Sequence, residues 1–161
     1  MEEKQLTIQQ AHKYFGVELN RLTWSLLEKE NRTRDEDEQM LHAVHASHFH
    51  WLSHGTNVNK QRGEWLIARV YSTLNVPERA LYHALRCKEI TDKHTNEMSD
   101  FDIAYADEGL ARAYACGGNK EESMKYYKSA TEKGSNIADK EDREIFNGDF
   151  EAGPWFGMIS K

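Results

Sequence analysis

The sequence predicts an all-α domain of about seven helices folded as antiparallel hairpins, and three observations carry that prediction. Apolar residues recur at spacings of three and four almost throughout, whereas the alternation of a half-buried strand is hard to find. Only two prolines, Pro77 and Pro154, interrupt the chain. The segment Ile67-Ala68-Arg69-Val70-Tyr71 returns as Leu110-Ala111-Arg112-Ala113-Tyr114, an offset of 43 residues. An echo of large, small and aromatic residues at fixed spacing marks stacked helical hairpins.

The first helix is expected over residues 8–29. Thr7-Ile8-Gln9-Gln10 forms a capping box at its start, and Ile8, Ala11, Phe15, Leu19, Leu22 and Leu26 make its apolar stripe. The second, over 36–53, takes Asp35 as its cap and stops at Gly55, a residue able to adopt the left-handed conformation at a helix end. Polar Thr56-Asn57-Val58-Asn59 leads to the third, over 60–74. Pro77 opens the fourth, because its fixed φ suits a first turn, and these two helices form one hairpin. Ser99, with Asp102 three residues on, starts the fifth, which ends at Gly117-Gly118. The sixth begins at Asn119 and is terminated by Gly134, giving the second hairpin. A shorter seventh, over 137–147, precedes Phe150, Trp155 and Phe156. These aromatics are expected to fold down as a cap, since the last hairpin of a stack has no neighbour to cover its apolar face.

One domain is expected over 1–161, with an irregular helical pair at 1–55, the two hairpins at 57–134, and a capping helix with aromatic tail at 135–161. A hydrophobic content of 39% with 30% charged residues fits a globular chain with much solvated helix surface. The formal net charge of −6 argues against a general nucleic-acid or anionic-membrane binder, because both need a broad positive field. An acidic, polar start and the lack of any apolar run near ~18 residues lead to the expectation of a cytoplasmic protein. Cys87 and Cys116 sit inside helical patterns with no close metal spacing and read as free thiols.

From Glu64 onward, the order Ile67-Ala68, Tyr71, Leu74, Ala80-Leu81, Ala84 and Cys87 resembles a tetratricopeptide repeat. Leu110-Ala111, Tyr114, Ser123-Met124, Tyr127 and Ala130 are similar in the second copy. Ala68 and Ala111 would let helix backbones approach while larger neighbours fill the gap. The match departs from the family in its period, which exceeds the usual ~34 residues, the surplus falling in the connection at 92–100. The resemblance implies a right-handed stack with a concave surface lined by the first helix of each hairpin. By matched positions that surface carries Arg62, Trp65, Leu66 and Arg69 from one hairpin, and Tyr105, Glu108, Gly109 and Arg112 from the next. Two guanidiniums one repeat apart, beside Trp65 and Tyr105, suit a carboxylate or an extended acidic peptide, with Glu108 tuning the site. The implied function is a non-enzymatic module that binds a carboxylate-bearing protein or peptide segment, without a cofactor. The competing use of the arginines is helix solvation, with Arg69 paired to Glu64 or Glu108.

His42, His45, His48, His50 and His54 place five histidines on the second helix. Only His50 and His54, at i and i+4, are spaced to share one ion, with Glu64 or Asp102 as a third ligand from elsewhere. Between them Met40, Leu41, Ala43, Val44, Ala46, Phe49, Trp51 and Leu52 surround the helix, which predicts that other helices enclose it and that its imidazoles find structural partners. A small-molecule, metal or hydrolytic site around His50, His54 and Glu64, drawing on Asp102 and Arg62, is the alternative function. No nucleophile motif, phosphate-cradling loop or dinucleotide fingerprint is present. Trp155 and Phe156 offer either an internal lid or the contact of a homodimer.

Overall fold

Seven α-helices form in a computed structural model that describes residues 3–159, and no strand occurs among those residues. They are α1 (Ile8–Leu27), α2 (Arg34–His54), α3 (Asn57–Thr73), α4 (Pro77–Lys93), α5 (Asp100–Cys116), α6 (Lys120–Ser135) and α7 (Lys140–Ala152), with a 3-10 turn at Thr95–Glu97. No helix among them is long and apolar enough to cross a membrane.

Side-chain caps set most of the starts. Thr7 accepts from the Gln10 amide while Gln10 returns to the Thr7 amide, and Ser99 and Asp102 repeat the arrangement at α5. At α2 the cap is Thr33 rather than Asp35. Thr33 and Glu36 close a reciprocal pair of bonds, which an aspartate two residues later cannot match, and Asp35 falls in the first turn beside the exposed N–H groups. Gly55 ends α2 in extended backbone (φ −85°, ψ 174°), not in the left-handed region, and so leads directly into α3. Helix α3 therefore begins at Asn57, with the Asn59 side chain accepting from the Thr56 amide at 3.0 Å. Gly134 does not stop α6 but lies inside it, covered by the Phe146 ring of α7. Helix α7 starts at Lys140 because Asp139 caps it, while Ile137 is buried in the preceding loop; Phe150 belongs to the helix and not to the tail.

The short connections after α3 and α5 force each helix back along its predecessor, so α3 with α4 and α5 with α6 form antiparallel hairpins; α1 packs likewise on α2. The two short turns share one hydrogen-bond pattern. Val76 N–H donates to the Tyr71 carbonyl at 2.9 Å and Asn75 N–H to Ser72, while Asn119 donates to Tyr114 at 3.0 Å and Gly118 to Ala115. Each is a Schellman turn whose left-handed residue, Asn75 (φ 57°) or Gly118 (φ 76°), occupies the same place in the echo.

Between hairpins, α2 packs on α3, α4 on α5 and α3 on α5, with α7 closing against α5 and α6. Ala68, Ala80, Ala84, Leu110 and Ala113 form the small-residue contact of α3, α4 and α5, where the lack of bulk lets the backbones approach. Sealed side chains such as Ile67, Val70 and Phe146 each contribute roughly 1.5–3 kcal/mol to the larger core. The enclosed helix is α5, not α2. Phe49 (61% exposed) and Leu52 on α2, like Ile8 (79%) and Phe15 on α1, face outward at the edge of the first hairpin. Helix α5 buries even its charges: Asp107 accepts from Ser129 at 2.6 Å and Lys133 at 2.5 Å, and Asp102, Glu108 and Arg112 find partners described below. In the tail, Trp155 packs on Tyr127 and Phe150, with ring centroids 5.0 and 5.4 Å apart.

Candidate functional site

A hollow of about 230 Å3 opens where α1, α3, α5 and α7 face one another. Its aromatic wall is continuous: Trp24 stacks on Trp65 at 5.9 Å, Tyr105 meets Trp65 edge-on at 4.8 Å, and Phe101 meets Tyr105 at 4.7 Å. Gly109 makes this possible, because a Cβ there would lie 2.9 Å from the Trp65 ring. Asn20, Arg62 and Leu66 also line a neighbouring cavity of about 240 Å3, which continues between α1, α2 and α3.

Arg62 stands at the junction. Its Nε donates to Asp102 Oδ1 at 2.7 Å, and its guanidinium lies 5.8 Å from the Phe101 ring centre. Asp102 is itself fixed, since its other oxygen accepts from the Ser99 amide and hydroxyl in the capping box of α5. A local helix-start signal thus positions a side chain of the hollow. On the far wall Tyr105 donates to Asp149 Oδ2 at 2.6 Å, and burial, reinforced by that carboxylate, pushes the phenol pKa up, so Tyr105 stays a donor.

The six residues read from sequence separate into two groups. Arg62, Trp65 and Tyr105 line the hollow. Glu108 and Arg112 are buried and Arg69 is half-buried, none of them on its wall. Both oxygens of Glu108 are engaged: Oε2 accepts from Trp65 Nε1 at 2.7 Å, and Oε1 from Arg112 Nε at 2.8 Å and from its Nη2. Arg112 Nη2 also reaches the Asp149 carbonyl, and Trp155 covers its guanidinium at 4.9 Å. Arg69 pairs with neither Glu64 nor Glu108. Burial and the nearby charge of Arg112 lower its pKa to about 10.

The histidines of α2 do not assemble around His50, His54 and Glu64. His50 meets His12 of α1, Nδ1 to Nδ1 at 2.9 Å, under the Phe15 ring, while His54 is exposed. Glu64 instead accepts from His48 Nε2 at 3.2 Å and His83 Nδ1 at 2.6 Å. Burial alone would raise its pKa, but these two bonds outweigh it and hold the carboxyl at about 2. His45 lies 3.0 Å from the Tyr71 hydroxyl, and burial, then His83 and His48, push its pKa down. No three His, Cys, Asp or Glu side chains among the described residues are grouped so as to hold a metal ion. The hydrolytic set His50, Glu64, Asp102 and Arg62 is likewise divided, only the last two being in contact.

Trp24, Phe101, Asp149 and His83 are residues of these clusters that sequence patterns did not single out. Trp24 and Asp149 lie outside the echoed segments, and no spacing rule connects them to Trp65. The chain matches no protein-family model, no curated protein and no solved structure.

Proposed function

We propose that the protein is a non-enzymatic recognition module whose hollow takes a carboxylate-bearing segment of a protein or peptide. The observation that carries this reading is Arg62, held through Nε on buried Asp102 while its terminal nitrogens have no partner among the described residues, at the junction of two adjoining cavities. A planar guanidinium presented this way receives a carboxylate through two parallel N–H bonds. The rings of Trp24, Trp65, Phe101 and Tyr105 accept an apolar side chain next to it. Continuation of the space past Arg62 favours an extended segment over a compact ligand. The matching turns after α3 and α5, and a hollow bounded by the first helix of each pair, support a tetratricopeptide-like stack as the scaffold. The free thiols Cys87 and Cys116 support a reducing, cytoplasmic setting.

The test uses hexapeptides that share a central Phe and differ only in Glu or Gln beside it, titrated into the full chain and followed by isothermal titration calorimetry. Glu peptides bind, and Gln peptides bind about ten- to hundredfold more weakly, the range expected for a hydrogen-bonded charge. Arg62→Ala removes the difference. Equal binding of the Glu and Gln peptides would falsify the carboxylate assignment.

A further inference from the structure

Behind the hollow, three enclosed guanidinium nitrogens have no hydrogen-bond partner among the described residues: Nε and Nη1 of Arg69, and Nη1 of Arg112. Arg112 is only 1% exposed, and its charge acts directly on Arg69. Three nearby carboxylate oxygens are committed elsewhere. Glu108 serves Arg112 and Trp65, Asp149 Oδ2 serves Tyr105, and no carboxylate of the described residues lies within ion-pairing distance of Arg69. Unpaired donors on a half-buried cation are costly, and a second cation beside them adds to the cost.

We infer that Arg69 and Arg112 together hold a small oxyanion, a carboxylate or phosphate in class. An ion with several oxygens placed between two guanidiniums meets the three free donors and offsets the repulsion between the cations. Arg69 and Arg112 balance Glu108 and Asp149 in formal charge, so the ion is recognised by directed N–H groups and not by a surplus of positive field. Chloride, which offers no set of oxygens, is a poor substitute. Trp155, anchored by its Nε1 on the Phe150 carbonyl at 2.9 Å, covers Arg112 from the tail. Neither arginine lines the hollow, so this site stands or falls separately from the peptide reading.

Thermal unfolding of the full chain in a zwitterionic buffer, titrated separately with sodium phosphate, sodium acetate and sodium chloride, tests the site. Phosphate or acetate raises the melting temperature saturably, by roughly 5–10 °C at a hundredfold excess over Kd, and chloride at equal ionic strength does not. A larger response to phosphate assigns a tetrahedral ion, and a larger response to acetate a carboxylate. Arg69→Met melts higher than the parent without added ions, because an unpaired cation has gone, and it loses the ion response. The site is overturned by a flat response to all three salts, which leaves solvent alone to meet the donors, or by an equal response to all three. It is equally overturned by a response that survives Arg69→Met, or by an Arg69→Met chain that melts lower than the parent in ion-free buffer.

Discussion

Two carboxylates, one buried and one partly buried, meet at α3, and they are held by different kinds of partner. Glu108, reaching from α5, is clamped by the Arg112 guanidinium and the Trp65 indole. Glu64, on α3 itself, is clamped by the imidazoles of His48 and His83 from α2 and α4. A guanidinium and an indole N–H hold Glu108, whereas the carboxyl of Glu64 is kept at about 2 by its two imidazole bonds, so protonating it releases them. The seam between α3 and α5 is therefore locked electrostatically, and the seam joining α2, α3 and α4 responds to acid.

The largest effect is expected where the lock is removed. Glu108→Gln leaves Arg112 buried without its counter-charge and costs about 3–5 kcal/mol, read as a lowered denaturation midpoint in urea. A loss below about 1 kcal/mol would mean that the Asp149 carbonyl and Trp155 suffice to hold Arg112.

Acid separates the two seams next. Glu64 has a depressed folded pKa, so its contribution is complete above its ordinary value of 4.5 and is lost as the pH falls toward about 2. That loss is on the order of 3 kcal/mol. His45, also depressed, adds a loss that begins as the pH drops through its ordinary value of 6.5. Urea unfolding from pH 7 to pH 3 should show stability falling with acidification, and Glu64→Gln should flatten the lower part of the curve. A Glu64→Gln curve parallel to the parent's would place the acid sensitivity elsewhere.

The smallest expected effect concerns the rim of the acid-sensitive seam. Tyr71→Phe removes the contact with His45 but keeps the ring that stacks on His83, so it costs about 0.5–1.5 kcal/mol at neutral pH. A cost several times larger would show the hydroxyl to be part of the clamp on Glu64.

What could be read from sequence follows how local each signal is. Thr7 with Gln10 and Ser99 with Asp102 announce their helices because both halves of the motif lie within one turn. Asp35 misleads because Thr33 and Glu36 offer two bonds where it offers one. Trp65 and Glu108 were legible as a pair of equivalent positions, and the bond between them spans 43 residues, the offset of the echo. Asp149 and Trp24 were not, since their places depend on how α7 and α1 fold against α5 and α3. Helical angle grouped the histidines by their neighbours on α2, but their partners, His12, Tyr71 and Glu64, come from other helices. The enclosure of α5 was not legible for a related reason: Glu108 and Arg112 read as lining a concave surface, and only the surrounding helices supply Arg62, Lys133 and Trp65 to meet the charges of α5.

The paired Schellman turns give the chain two equivalent backbone joints. Asn75 and Gly118 leave their helices through the same backbone joint, so the segment 76–118 begins and ends at geometrically interchangeable seams. A duplicate of that segment spliced in after Gly118 would meet a backbone junction that the polypeptide already closes twice.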